Sequence, residues 1–159
     1  MAGKLSISLG VMVTRAALAN PWQEAVWRAS GVVLGSPFLR AGSLMWQDDA
    51  AVHFFAGATT LSLHADETEQ YRANLEQQTP LLYVVLQSLE DSADSQPPLL
   101  HLVTAAPDEA EAYQEGDATR VGCVLMPRPI ATLVAAFINE SERRLQSNPA
   151  FASEHRHGR

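Results

Sequence analysis

The segment 61–87, LSLHADETEQYRANLEQQTPLLYVVLQ, limits the fold most strongly, because local signals mark every boundary within it. Its first residues alternate between apolar and polar side chains, which is the period of a strand with one buried face. Asp66 and Glu69 have the D-x-x-E spacing of a capping box and predict a helix start. Pro80 disfavours the helical conformation for the residue before it and so ends the helix. The apolar run that follows is typical of a strand covered on both faces.

The rest of the chain adds short strands and two further helices to this unit. Alternating or continuous apolar runs predict the strands, and acidic residues behind Pro107 predict the start of a second helix. A stripe that includes Leu133, Val134, Phe137 and Ile138 predicts the last helix. The expected strands are 5–14, 99–104 and 120–126, and the expected helices begin at Pro107 and span 130–145.

Three stretches have less definite patterns. Asn20, Pro21 and Gln23 have the spacing of a helix start, but the apolar end of the segment favours a strand over about 24–34. Residues 36–50 are expected to form a loop that carries Trp46. Residues 52–63 fit either one long strand with a bulge at Gly57 or a hairpin that turns there.

Together these elements predict an α+β fold in a single domain. Several neighbouring strands have no helix between them, so antiparallel pairing should dominate. We expect a mostly antiparallel sheet of about six strands with three helices. The expected domain covers residues 1–146, and the polar segment 147–159 is expected to be a flexible tail.

The charges are distributed unevenly along the chain. The net charge is −7, and fourteen of the 18 acidic residues lie in 48–117 with a single basic residue, Arg72. An acidic middle argues against a nucleic-acid partner, because phosphates require clustered cations. Solvated, solubilising faces are the favoured interpretation. An acidic docking surface for a basic partner protein is the alternative.

The sequence predicts a cytoplasmic protein without a membrane span. A single cysteine, Cys123, excludes an internal disulfide and fits a reducing compartment. No apolar run approaches the roughly 20 residues that a membrane helix needs. The apolar run 5–13 followed by Ala17-Leu18-Ala19 imitates a secretory signal, but its alternation with serine and glycine favours a strand.

His64, Asp66 and Glu67 form the densest cluster of polar groups that could carry chemistry. Their spacing would suit a ligand pair or a base at a helix start, and His64 and Glu67 are therefore candidate binding residues. Capping and the helix dipole explain both acids without a site, and that interpretation is favoured. A zinc site needs three or four ligands, so we expect no metal and no cofactor.

The other chemistry-bearing residues are weaker candidates. Cys123 lies within an apolar strand and is expected to be buried as a small hydrophobic residue. Trp22, Trp27 and Trp46 are either core residues or an aromatic patch for a partner, and Trp22 and Trp27 are kept as candidate binding residues. The sequence contains no phosphate-binding loop, no G-x-S-x-G elbow and no H-E-x-x-H motif. Whether the protein is an enzyme stays open, and a non-catalytic role is favoured.

Short patches between about residues 5 and 138 carry a family resemblance. They are Pro21-Trp22-Gln23, Trp27-Arg28, Gly31-Val32, Leu63-His64, Glu67-Thr68-Glu69, Tyr71, Asn74-Leu75, Leu82-Tyr83-Val84-Val85-Leu86, Val103-Thr104-Ala105, Glu109-Ala110, Tyr113 and Met126-Pro127. In that order they resemble a proteobacterial family known as domain of unknown function 3305. Genes of this family often lie beside those of molybdenum-dependent formate dehydrogenases and their maturation factors. The resemblance assigns no catalytic residue.

The resemblance implies a non-catalytic accessory or assembly protein for a molybdenum-dependent formate dehydrogenase. Its expected partner is a protein, either a formate dehydrogenase component or a maturation factor. Two alternatives stay open. One is a protein-binding module of an unrelated pathway, and the other is a small enzyme with a site near His64 and Glu67.

Overall fold

The computed structural model describes residues 3–16, 27–35, 39–87, 97–114 and 119–147. Within these ranges the chain forms seven strands, three α-helices and one short 3-10 helix. The α+β class and the antiparallel pairing predicted from the sequence are confirmed, although the strands divide between two sheets. The segments 17–26 and 148–159, which contain the possible helix start at Asn20, Trp22 and nearly all of the expected tail, lie outside the described residues.

The first sheet has four strands in the order β2-β1-β4-β3. Their bounds are Lys4–Ala16 for β1, Trp27–Leu34 for β2, Ser43–Gln47 for β3 and Ala51–His64 for β4. All three pairings are antiparallel. The strand interpretation of the segment that ends at Leu34 is therefore confirmed for the residues that the structure describes.

Two predictions for the middle of this sheet have different outcomes. Residues 52–63 form one strand whose register shifts opposite Gly57, so the bulge interpretation is confirmed. The prediction of a loop over 36–50 is wrong, because Ser43–Gln47 pairs with β4. This strand lies at the sheet edge with apolar side chains exposed, so it lacks the alternation that marks a half-buried strand.

The second sheet has three strands in the order β6-β5-β7, with bounds Leu81–Gln87 for β5, Leu99–Thr104 for β6 and Thr119–Leu125 for β7. Both outer strands pair antiparallel with β5 and therefore run parallel to each other. The helix between them, α2 (Pro107–Gln114), crosses the sheet and packs on all three strands. Val84 and Val85 point to opposite faces of β5 and both are fully buried, as the continuous apolar run predicts.

The two sheets enclose one hydrophobic core. They approach each other where β4 lies against β6 and where β2 lies against β7. A Cβ atom placed on Gly122 of β7 would lie 3.3 Å from the Cβ of Ala29, so the missing side chain permits this close approach. The core is filled from alternate positions of the strands and from two helices; among its fully buried members are Leu9, Val11, Val13, Leu61, Leu63, Leu82, Val84, Ile130 and Val134.

The first helix, α1 (Thr68–Leu75), does not begin as the sequence predicts. The chain leaves β4 through a 3-10 helix, Ala65–Glu67, and no side-chain hydrogen bond caps either helix. The prediction that Asp66 and Glu69 form a capping box is therefore wrong. The helix begins two residues after Asp66, and Glu69 instead bonds to Arg72.

The last helix, α3, runs from Arg128 to Ser147, and its buried residues are Ile130, Val134, Phe137, Ile138 and Ser141. The predicted stripe is correct except for Leu133, which is exposed. At 3.6 residues per turn the buried residues occupy a stripe roughly 100° wide around the helix, and Leu133 falls about 40° beyond its edge.

Candidate functional site

The candidate site residues His64 and Glu67 are joined through Tyr71, whose side chain is 1% exposed. The backbone N–H of His64 donates to the Tyr71 hydroxyl at 2.9 Å, and that hydroxyl donates to Oε2 of Glu67 at 3.0 Å. Burial raises the pKa of Tyr71 far above the ordinary tyrosine value, and the Glu67 carboxylate adds to the rise. The hydroxyl therefore stays protonated, and it closes the turn between β4 and α1.

The ring of His64 has no comparable role. It is half-buried where the end of β4 pairs with the start of β1, opposite Lys4. Within the part of the chain that the structure describes, the imidazole makes no hydrogen bond. In the same ranges, no three His, Cys, Asp or Glu side chains lie close enough together to hold a metal ion.

Asn74 is the most connected polar residue of this region, and sequence reasoning missed it. It is fully buried, and its Nδ2 donates to the carbonyl oxygens of Leu81 and Ala105 at 2.7 and 2.9 Å. Its Oδ1 accepts from the Leu81 N–H and from Nε2 of Gln77, both at 3.0 Å. One side chain thus ties α1 to the start of β5 and to the residue after β6. The sequence offers only a weak signal for this role, namely the spacing of three residues that puts Asn74 on the same helix face as Tyr71.

Two neighbouring residues connect α1 to the other helices. The side chain of Gln70 donates to Asp108 and accepts from the Asp108 N–H at 3.0 Å, which satisfies a donor at the start of α2. Arg72 bridges Glu69 and Glu142 of α3. The segment from His64 to Asn74 is therefore the junction of three helices and both sheets, and most of its polar groups serve that junction.

Trp27, a candidate binding residue, lies in the core at the start of β2. Its ring is 5.3 Å from that of Phe54, and the guanidinium of Arg15 lies 5.2 Å from its centroid. The core interpretation is thus the one the structure supports for this side chain, which is 8% exposed. Trp22 lies outside the described residues.

A cleft opens next to Trp27, between the outer strands β2 and β7. Its volume is 370 Å³, within the range of small-ligand and peptide sites. It is lined by Arg28, Ala29, Ser30, Leu81, Gly122, Cys123, Val124 and Leu125. Among the described residues, β2 and β7 are the last strands of their sheets, and the backbone groups of one edge of each have no strand beside them.

Cys123 lies in this cleft and is exposed, so the prediction that it is buried in the core is wrong. Its neighbour Val124 points into the core, and alternation along β7 therefore turns Cys123 and Leu125 outward. The sequence from Val121 to Leu125 is uninterrupted by polar side chains and does not reveal which residues face inward.

Arg28 gives the cleft its charge. The side chain is exposed, and it makes no ion pair with any residue in the described ranges. A guanidinium among apolar lining residues suits a carboxylate, which it can bind through two parallel hydrogen bonds. The cleft can therefore hold an extended segment that carries an acidic residue.

These features define a small two-sheet α+β protein with a cleft where the sheets meet. No helix in the described part of the chain is long and apolar enough to cross a membrane. The chain belongs to the family described as protein of unknown function (DUF3305), which matches residues 8–148. It matches no curated protein and no solved structure.

Proposed function

We propose that this protein is a cytoplasmic, non-catalytic accessory or assembly protein that binds a component or a maturation factor of a molybdenum-dependent formate dehydrogenase. The family resemblance supports the pathway, because genes of such proteins often lie beside formate dehydrogenase genes. The exposed thiol of Cys123, the only cysteine, fits a reducing compartment.

The observation that carries a binding role is the cleft between β2 and β7. Two strand edges and an apolar floor suit an extended polypeptide segment, which adds backbone hydrogen bonds to a free edge. Arg28 selects a segment with a carboxylate, and Leu125, which is 67% exposed, offers apolar area beside it. The partner segment is therefore extended, apolar and acidic at one position.

Deletion of the gene in its native host tests the pathway. We expect formate oxidation and the molybdenum cofactor content of the purified formate dehydrogenase to fall, and the wild-type gene to restore both. Unchanged activity together with unchanged cofactor loading would contradict the proposal.

Complementation with variants then tests the cleft. Arg28→Glu reverses the charge of the cleft and should fail to restore formate oxidation. Arg143→Glu, on the exposed side of α3, is the matched control and should restore it, because the ion pair that Arg143 makes with Glu140 is exposed. Equal rescue by both variants would show that the cleft does not bind the partner.

A second candidate is a small enzyme with a site near His64 and Glu67. The observation that favours it is the half-buried imidazole of His64, which has no hydrogen bond within the described ranges although Glu67 lies nearby. A His64→Ala variant that folds normally but loses a detected activity would support this alternative. Retention of that activity would exclude His64 from its chemistry.

A protein-binding module of an unrelated pathway is separated from the main proposal by its partner. The tagged protein is recovered from its native host, and the bound proteins are identified by mass spectrometry. Formate dehydrogenase subunits or their maturation factors, enriched by wild type and lost with Arg28→Glu, support the proposal. A different partner lost with Arg28→Glu supports the unrelated module.

A further inference from the structure

The strand β3 carries three consecutive exposed hydrophobic residues at the edge of the first sheet. Leu44, Met45 and Trp46 are 54%, 38% and 54% exposed. In the described part of the chain, β3 is the last strand of its sheet, so one of its edges has no strand beside it. We call residues 39–49 the β3 edge. A free edge with apolar side chains is the kind of surface that adds another strand.

The two most exposed hydrophobic side chains of the β3 edge lie on opposite faces of the sheet. Leu44 pairs with Phe54 and Trp46 with His53, and the register shifts between them. Neighbouring residues of β4 face opposite sides, so their partners on β3 do so as well. A protein lying on one face of the sheet would cover only one of these side chains. A strand added to the edge places side chains on both faces of the sheet and can cover Leu44 and Trp46 together.

Trp46 is held in place as a contact residue. Its ring stacks on His53 with centroids 3.8 Å apart and an angle of 19° between the planes. Nδ1 of His53 lies 2.9 Å from Oγ1 of Thr14, a buried residue of β1. Little side-chain freedom remains for Trp46 to lose on binding, and tryptophan is the residue type most enriched at the energetic centres of interfaces.

The ends of the β3 edge carry opposite charges. Arg40 precedes the strand in a turn fixed by Ser43, whose N–H and hydroxyl donate to the Arg40 carbonyl at 3.0 and 2.6 Å. Asp48 and Asp49 follow the strand, and Asp48 accepts from the N–H groups of Ala50 and Ala51. The edge is therefore basic at its beginning and acidic at its end.

We propose that two copies of the chain pair antiparallel along the β3 edge, about a two-fold axis near Met45. Antiparallel pairing places Arg40 of each copy beside the acidic turn of the other. The same geometry brings the two Trp46 side chains together on one face of the sheet and the two Leu44 side chains together on the other. The two four-stranded sheets then form one continuous sheet across the axis.

The self-complementary charges are the reason to assign a second copy as the occupant. A parallel arrangement would bring the acidic turns of both copies together, and like charges side by side are unfavourable. In a dimer with a two-fold axis every contact occurs twice. The attraction between Arg40 and the acidic turn of the other copy therefore acts at both ends of the paired strands. This inference concerns a different surface from the cleft and does not rest on the proposed function.

Sedimentation of the full chain over the micromolar range tests the dimer. We expect wild type to dimerise and Trp46→Lys to weaken the dimer roughly tenfold or more. Leu125→Lys is the matched control, because it adds the same charge at another exposed apolar position, and it should leave the dimer intact. Circular dichroism checks that both variants fold.

Charge reversal keeps the inference testable if Trp46→Lys does not fold. Arg40→Asp and Asp49→Arg should each weaken the dimer, and the two changes combined should restore part of it, because the attraction between positions 40 and 49 is rebuilt with exchanged signs whereas Asp48 stays acidic. A monomeric wild-type chain overturns the inference. So does a dimer that these single changes leave intact, or one that Leu125→Lys disrupts.

Discussion

At the scale of single residues, Asn74 does the most to hold the elements together. Four hydrogen bonds use both donors and the acceptor of its amide, and three of them satisfy backbone groups in the strand region. A buried backbone group that loses its partner costs about 1–3 kcal/mol. The residue therefore acts as a fixed connector between α1 and the second sheet.

We expect Asn74→Ala to lower the free energy of unfolding by about 3–5 kcal/mol, because it leaves Leu81 and Ala105 groups buried without partners. Chemical denaturation followed by circular dichroism measures the change. Asn139→Ala, at an exposed position of α3, should alter stability by less than about 0.5 kcal/mol. Similar losses for the two variants would show that the Asn74 bonds contribute little.

Tyr71 contributes to stability through a hydroxyl that has to stay protonated. Its pKa is raised in the folded protein by burial and by Glu67, so the neutral form is favoured there. The contribution is complete below the ordinary tyrosine pKa of about 10, and it is lost as pH rises beyond that value towards the folded pKa.

Replacement of Tyr71 by Phe should cost about 1–2 kcal/mol at neutral pH, because the bonds to His64 and Glu67 are lost. Above about pH 10 wild type should lose stability faster than Tyr71→Phe, so the difference between them shrinks. Denaturation curves of both proteins from neutral to alkaline pH measure the difference between their free energies of unfolding. A difference that stays constant with pH would argue against a buried, protonated Tyr71.

At the scale of elements, β4 shows how one glycine shapes a long strand. Gly57 has a φ of 148°, which residues with a side chain rarely adopt. A Cβ atom there would lie 3.8 Å from the Cβ atoms of Leu100 and Ala41, so space is available and the backbone conformation is the main constraint. The irregularity lies where β4 packs against Leu100 of β6.

We expect Gly57→Ala to reduce stability by about 1–3 kcal/mol through backbone strain. Gly31→Ala is the control, since Gly31 lies in β2 without a positive φ and meets only the flexible end of Met12. Thermal unfolding of the two variants provides the comparison. Equal melting temperatures would mean that β4 relaxes around the new side chain.

At the scale of the whole molecule, the two sheets share one core, and three helices close it through the junction at α1. Side chains from both sheets and from α3 contact one another in the same buried cluster. Neither sheet buries its apolar face without the other, so neither is expected to be stable alone.

Unfolding should therefore be a single cooperative transition. Tryptophan fluorescence reports mainly on the first sheet, where Trp27 is buried, whereas far-ultraviolet circular dichroism reports on all elements. The two denaturation curves should coincide in wild type and shift together in Gly57→Ala. Two separated transitions would show that the sheets unfold independently.

Much of the fold is predictable from the sequence because local patterns determine it. The alternation in β1, the apolar run of β5 and the proline start of α2 are visible without tertiary contacts. The bulge at Gly57 was one of two predicted alternatives. The start of α1 was predicted wrongly, since Asp66 has the spacing of a cap whereas the structure begins the helix after a 3-10 turn.

The candidate site was less predictable. His64 and Glu67 were recognised as polar neighbours, but the connection through Tyr71 requires the helix to fold back on the strand end. Asn74 looks like an ordinary polar helix residue until its partners, distant in sequence, are in place. The cleft at Arg28 and Cys123 joins strands from opposite ends of the chain, and no local pattern indicates it.

By itself the sequence determined the α+β class and the positions of most strands and helices. Its short sequence patches also indicated the family to which the chain belongs. Only the tertiary structure decided that the strands form two sheets, that Cys123 faces outward and that β3 lies at an exposed edge. The physical reason is that periodicity specifies an element and its apolar side. Which strands become neighbours, and which apolar residues remain uncovered, depends on contacts between segments far apart in the chain.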